Sequence, residues 1–180
     1  MTAAAQAPPR FEQLTATRVL VVPAQEVSGV TDARAWLMRF DSVLTSQLQD
    51  GGIGAGWAYA RDAARFQRQN PSYLTDPRVL GTRPLAAANV KEGMTLPQPF
   101  ASRIRAYVAL ADSRVAVVPA LAAIDSSASP SSATLRLVLV DAPASTILAA
   151  LTVSSTFAGT AAAAADSLAA ATARLFVRTR

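Results

Sequence analysis

The stretch "DGGIGAGWAYA", residues 50–60, holds four glycines within six positions, the composition of a loop that cradles phosphate. Its position argues otherwise. A dinucleotide loop follows a strand and opens a helix, so that free N–H groups face the pyrophosphate. Here a helical pattern precedes the glycines and a strand pattern follows, which would set a phosphate against the carbonyl end of a helix. The expectation is a helix stop at Gly51 and a turn. The twelve acidic residues show no pair with a spacing diagnostic of acid–base or metal chemistry. Asp50, Asp62, Asp112, Asp125 and Asp141 fall near expected element ends, where capping explains them. "DSSASPSS", residues 125–132, supplies hydroxyls without a base to activate one. Cysteine and histidine are absent, which removes thiol nucleophiles, disulfides, thiolate and imidazole ligands and imidazole proton transfer. No catalytic, cofactor-binding or metal-binding residues are assigned, and the chain is read as non-enzymatic.

The composition, 51% hydrophobic and 16% charged over 180 residues, suits a chain that buries a substantial core. The apolar run 115–124 is bounded by Arg114 and Asp125, and 133–153 is interrupted by Arg136, Asp141 and Pro143. Both fall short of the roughly 20 apolar residues of a spanning helix. Seventeen basic residues, Lys91 the only lysine, give a net charge of +5 and a pI near 10.7. That balance keeps a nucleic-acid-binding module open as a second reading, with an enzyme using the acidic residues a weaker third. Arg61, Arg65 and Arg68 recur at helical spacing, as a solvated face or an anion-binding patch.

The elements that must position these residues follow from periodicity. Residues 1–15 open with "MTAAAQAPPR", which lacks the apolar segment of a signal peptide and has the composition of a flexible start. Residues 16–180 are expected to form a single α/β domain. "RVLVVPAQ", 18–25, reads as a strand buried on both faces and ended by Pro23. In 31–50, Trp36, Phe40, Leu44 and Leu48 mark one helix face, Arg39 and Asp41 fall mostly elsewhere, and Thr31 or Asp32 caps the start. A short strand at 56–61 leads into a short helix closed by Pro71. Residues 71–99 carry five prolines and little periodicity, and read as a long irregular excursion over the surface. A helix from 100, strands at 114–124, 133–141 and 146–157, and a helix at 160–177 complete the chain. The order predicts one mixed sheet with an initial β-α-β crossover and a C-terminal antiparallel meander, with helices packed against it.

With "RVLVVPA", "WLMRFDSVLTSQLQDGGIGAGWAYAR", "SRVAVVPAL" and "LRLVLVDAPASTIL" in that order, the chain resembles the small α/β domain of the TolB N-terminus and of CsgG-type and LpoB-type envelope lipoproteins. Pro143, Ala144 and Ser145 replace the glycine-containing hairpin turn usual in that group. The resemblance implies a non-catalytic accessory or scaffolding subunit of the bacterial envelope. It would be periplasmic or peripheral to a membrane and would bind a membrane-associated protein assembly, with no small-molecule substrate and no cofactor. Candidate partner-binding residues are Trp57 and Tyr59 on the short strand. Tyr73, Leu74, Val79, Leu80, Leu85 and Met94, all expected to be exposed on the proline-rich segment, complete the set.

Overall fold

The computed structural model describes residue 14 and residues 17–53 and 56–177. Apart from Leu14, the flexible start expected at 1–15 lies outside the described residues.

β1 (Val19–Val21) runs between β3 (Trp57–Ala58) and β4 (Val115–Asp125), parallel to both. β4, β5 (Ser132–Asp141) and β6 (Thr146–Thr156) form the expected antiparallel meander, giving the order β3-β1-β4-β5-β6 in one mixed sheet. The β1-to-β3 crossover passes through α1 (Ala33–Asp50). α2 (Ala60–Gln69), α3 (Phe100–Leu110) and α4 (Ala161–Ala173) complete the helices.

Alternation along β1 divides the interior into two cores. Val19 and Val21 face one, and Leu20 and Val22 the other. α1 and α4 cover the first, setting Trp36, Phe40, Leu44, Leu48 and Leu168 against Leu135, Leu137 and Leu139 of β5. α3 covers the second with Phe100, Ile104, Tyr107 and Val108.

Residues 71–99 complete that second cover. The surface excursion is thereby corrected: Leu74, Leu80, Leu85, Val90 and Leu96 are all buried, and a short 3-10 turn, Arg83–Ala86, lies over the sheet. Proline spacing hides this from periodicity, because each apolar side chain enters the core singly.

Two further differences have local causes. β1 ends at Val21, short of Pro23, the residue expected to end it because it has no N–H to donate. β4 continues past it and pairs with β2 (Val27–Ser28), which no alternating pattern announces. α1 starts at the Asp32 cap, whose carboxylate accepts from Ala35 N–H at 2.9 Å. At its other end Gly51 has φ −74°, and the left-handed residue is Gly52 at φ +85°. Gly52 N–H donates to Gln49 and Ile53 N–H to Leu48, a Schellman stop whose apolar contact joins the first core.

A Cβ on Gly52 meets no atom within 4 Å, whereas one on Gly51 would come within 2.4 Å of the Val177 side chain. Gly52→Ala is expected to cost about 1 kcal/mol, the backbone term alone. Gly51→Ala carries no such backbone term at φ −74° but must displace Val177. Urea unfolding of the two variants checks whether Gly51→Ala is the more damaging.

Candidate docking surface

The site is built from the polar ties that hold residues 71–99. Breaking β1 at Pro23 leaves backbone groups inside the protein that no ladder can satisfy. Gln25, 7% exposed, meets them. Its own N–H donates to Pro119 carbonyl oxygen at 3.1 Å. Its side-chain Nε2 donates to the carbonyls of Pro23 at 2.6 Å and Pro77 at 2.8 Å, and its Oε1 accepts from Leu80 N–H at 3.0 Å. One amide thus joins the broken strand to both sides of Arg78.

Asp41 makes the second tie. Its Oδ1 accepts from Ala24 N–H at 2.8 Å, and its Oδ2 accepts from Arg78 Nη2 at 2.8 Å. The helical pattern put Asp41 mostly off the apolar face of α1, yet it is buried, because a backbone N–H and a guanidinium replace the water it loses. Burial is the larger influence on its acidity. It pushes the carboxyl up to about 6, against the opposing pull of Ala24 N–H and Arg78.

Three more ties complete the clamp. Tyr107 Oη donates to Thr75 carbonyl oxygen at 2.6 Å, Arg103 Nη1 to Val79 carbonyl oxygen at 3.1 Å, and Arg136 Nη2 to Val90 carbonyl oxygen at 2.6 Å. Burial also pushes the Tyr107 phenol up to about 12.

This clamp sorts the candidate residues. Tyr73, Val79 and Met94 are 69%, 58% and 37% exposed. Leu74, Leu80 and Leu85 are core plugs instead of surface groups, since residues 71–99 need them to reach the sheet. Trp57 and Tyr59 are also buried, and both face the first core. Trp57 packs edge-on against Phe176 with centroids 5.6 Å apart and donates Nε1–H to Thr17 carbonyl oxygen at 3.1 Å. Tyr59 Oη donates to Ile53 carbonyl oxygen.

Met38 and Leu110, 53% and 39% exposed, are surface groups that periodicity did not single out. Met38 stands at a cleft of about 430 Å³ between α1 and α2, together with Asp41, Ser42, Thr45, Arg61 and Arg78. Val79 lines a hollow of about 220 Å³ with Arg78, and Tyr73 one of about 190 Å³ with Arg103. Tyr73, Val79 and Met38 are therefore linked over the surface through Arg103 and Arg78.

Charge is concentrated here too. The arginines are spread along the chain, but the acidic residues are not. Residues 60–110 hold eight basic and three acidic side chains, while the rest of the chain balances nine against nine. The whole net charge of +5 lies on the segment running from α2 through α3.

The glycine loop lies at the C-terminal end of α1, as its position implied. A depression of about 360 Å³ borders Gly56, but its charged groups pair with one another, Arg18 with Asp112 and Arg65 with Asp62. Asp62, Asp125 and Asp141 cap Tyr59 N–H, Ser127 N–H and Ala144 N–H respectively. Among the described residues, no group of three or more acidic side chains is placed to hold a metal ion. No helix among them is long and apolar enough to cross a membrane.

No protein-family model matches the chain, and no curated protein matches it. Among solved structures it is similar to the PelC dodecamer from Paraburkholderia phytofirmans, at 14% identity and a TM-score of 0.47, covering 97% of this chain and 96% of that one. A single-residue variant of that dodecamer matches at 15% identity and a TM-score of 0.45, over 89% of each chain. Lipoprotein GNA1162 from Neisseria meningitidis matches at 15% identity and a TM-score of 0.38, over 78% of this chain and 80% of that one.

Two measurements check the clamp. Gln25→Leu leaves Leu80 N–H and the Pro77 carbonyl without partners and is expected to cost about 3 kcal/mol in urea unfolding. The second concerns Asp41. Its folded value lies above the unfolded one, so the native state holds the extra proton between about pH 4 and 6. The contribution of Asp41 to stability therefore falls as pH rises through that window and is flat above it. Relative to Asp41→Asn, the wild type is expected to gain about 2 kcal/mol on going from pH 7 to pH 4.5.

Proposed function

We propose that this chain is a non-catalytic accessory or scaffolding subunit of the bacterial envelope. It docks through residues 71–99 on a membrane-associated or periplasmic protein assembly. One observation carries the reading: Tyr73 and Val79 stand exposed on a backbone that Gln25, Arg103 and Tyr107 hold fixed on both sides. Exposed apolar side chains on a mobile loop lose much of their binding energy to ordering, and side chains on a clamped segment do not. A tyrosine beside arginines is also the composition of an interface centre. The sequence resemblance to envelope assembly proteins supports the compartment, and the basic excess of residues 60–110 favours a partner with an acidic surface.

The same basic excess keeps the nucleic-acid reading as the alternative. Tyr73 and Val79 favour protein, because Val79 offers no stacking face or donor to a nucleic acid.

A photo-crosslinking residue at Tyr73 is expected to capture a distinct envelope protein from native membranes, and one at the exposed Ala109 on α3 is not. Tyr73→Ala with Val79→Ala should abolish recovery of that protein while the circular dichroism and melting of the chain stay unchanged. Equal recovery by the double variant would overturn the reading. Binding to oligonucleotides at low salt that collapses as salt rises would favour the alternative.

A further inference from the structure

β6 ends the sheet; on its outer side the Thr156 carbonyl accepts from Ser167 Oγ at 2.8 Å, and a backbone neighbour covers it only at its start. Residues 93–96 run beside it there. Gly93 N–H donates to Ile147 carbonyl oxygen at 2.9 Å, Ile147 N–H to Met94 carbonyl oxygen at 2.9 Å, and Leu96 N–H to Ser145 carbonyl oxygen at 2.8 Å. From residue 148 onward, no backbone partner stands on that side among the described residues.

The ladder fixes which groups remain. Phe157 N–H donates to Ser131 carbonyl oxygen, across from β6 on the β5 side. Antiparallel alternation therefore turns the backbone groups of Leu151, Val153 and Ser155 toward β5, and those of Ala150, Thr152, Ser154 and Thr156 outward. The side chains of Thr152, Ser154 and Thr156 are exposed. A free edge of this length normally carries lysine, proline or a bulge that prevents pairing. Residues 149–156 carry no charge and no proline, and the one register shift of the β5–β6 ladder falls at Leu148, before them.

We propose that this edge binds the β6 edge of a second copy of the chain, antiparallel about a two-fold axis, so that the two sheets become one. Charge selects this occupant. A charged peptide finds no counter-charge on residues 148–156, whereas an identical neutral strand meets its like. The surroundings agree: residues 111–177 hold three basic and four acidic side chains, and the excess that would make two copies repel lies in residues 60–110. Two-fold pairing also sets threonine and serine against threonine and serine, a favourable cross-strand combination. A self-complementary patch is what a closed dimer requires. The edge is independent of the docking surface on residues 71–99, and either assignment can fail without the other.

Analytical ultracentrifugation of the full chain over a wide concentration range tests this. A dimer that dissociates on dilution is expected. Thr152→Pro removes an outward N–H without touching the β5–β6 ladder. It is expected to raise the dimer Kd about tenfold or more, since two symmetry-related ladder bonds are lost together, while Thr152→Ala, which loses only side-chain pairing, raises it less. If Thr152→Pro alters the circular dichroism, Ser154→Lys takes its place. It leaves the backbone intact and sets like charges across the axis, so its dimer weakens most at low salt. A wild type that stays monomeric at the highest concentration, or a dimer indifferent to Thr152→Pro and Ser154→Lys, would overturn the proposal.

Discussion

The side-chain amide of Gln25 is the interaction on which the rest of the structure depends. Pro23 stops β1 while β4 runs on, and residues 71–92 have no ladder of their own. Both leave backbone groups in the interior, where an unpaired donor or acceptor costs about 1–3 kcal/mol. Gln25 answers two carbonyls and one N–H with a single side chain. A side chain without both an N–H donor and a carbonyl acceptor could not meet all three. With that amide in place, Leu80 and Leu85 can enter the second core, and Val79, immediately before Leu80, is left facing solvent.

The sheet therefore has two unlike covers. On the first core, long regular helices meet leucines of β5, with Arg39 of α1 and Asp166 of α4 paired across the outside at 2.6 Å. On the second core, one helix and an irregular segment share the work, and the segment must hold its shape through side-chain ties. Those ties use arginine repeatedly: Arg78, Arg103 and Arg136 each bond a carboxylate or a carbonyl that regular structure would have satisfied otherwise. The basic excess of residues 60–110 is thus partly structural, and only the side chains that make no such bond are free to address a partner.

The elements with strong periodicity were legible in the sequence, and so was the sheet they build. Trp36, Phe40, Leu44 and Leu48 marked α1, alternation around Leu135, Leu137 and Leu139 marked β5, and the order of elements gave the crossover and meander. What escaped depends on tertiary partners. β2 is two residues that exist because β4 overruns β1. Asp41 reads as a polar helix position until Ala24 N–H and Arg78 are seen to reach it. Leu74 and Val79 look alike in a proline-rich segment, and only the second core separates the plug from the exposed group. Trp57 and Tyr59 were read as a possible binding face because a two-residue strand carries no alternation to show which side is buried.

The central claim is that residues 71–99 form a fixed surface held by buried polar ties. Native-state hydrogen exchange at the Leu80 amide tests it most directly, because that N–H lies outside every helix and strand and donates only to Gln25. The account predicts protection at Leu80 comparable to that of the β4–β5 ladder. Exchange at Leu80 as fast as in the exposed turn at residues 126–131 would contradict it.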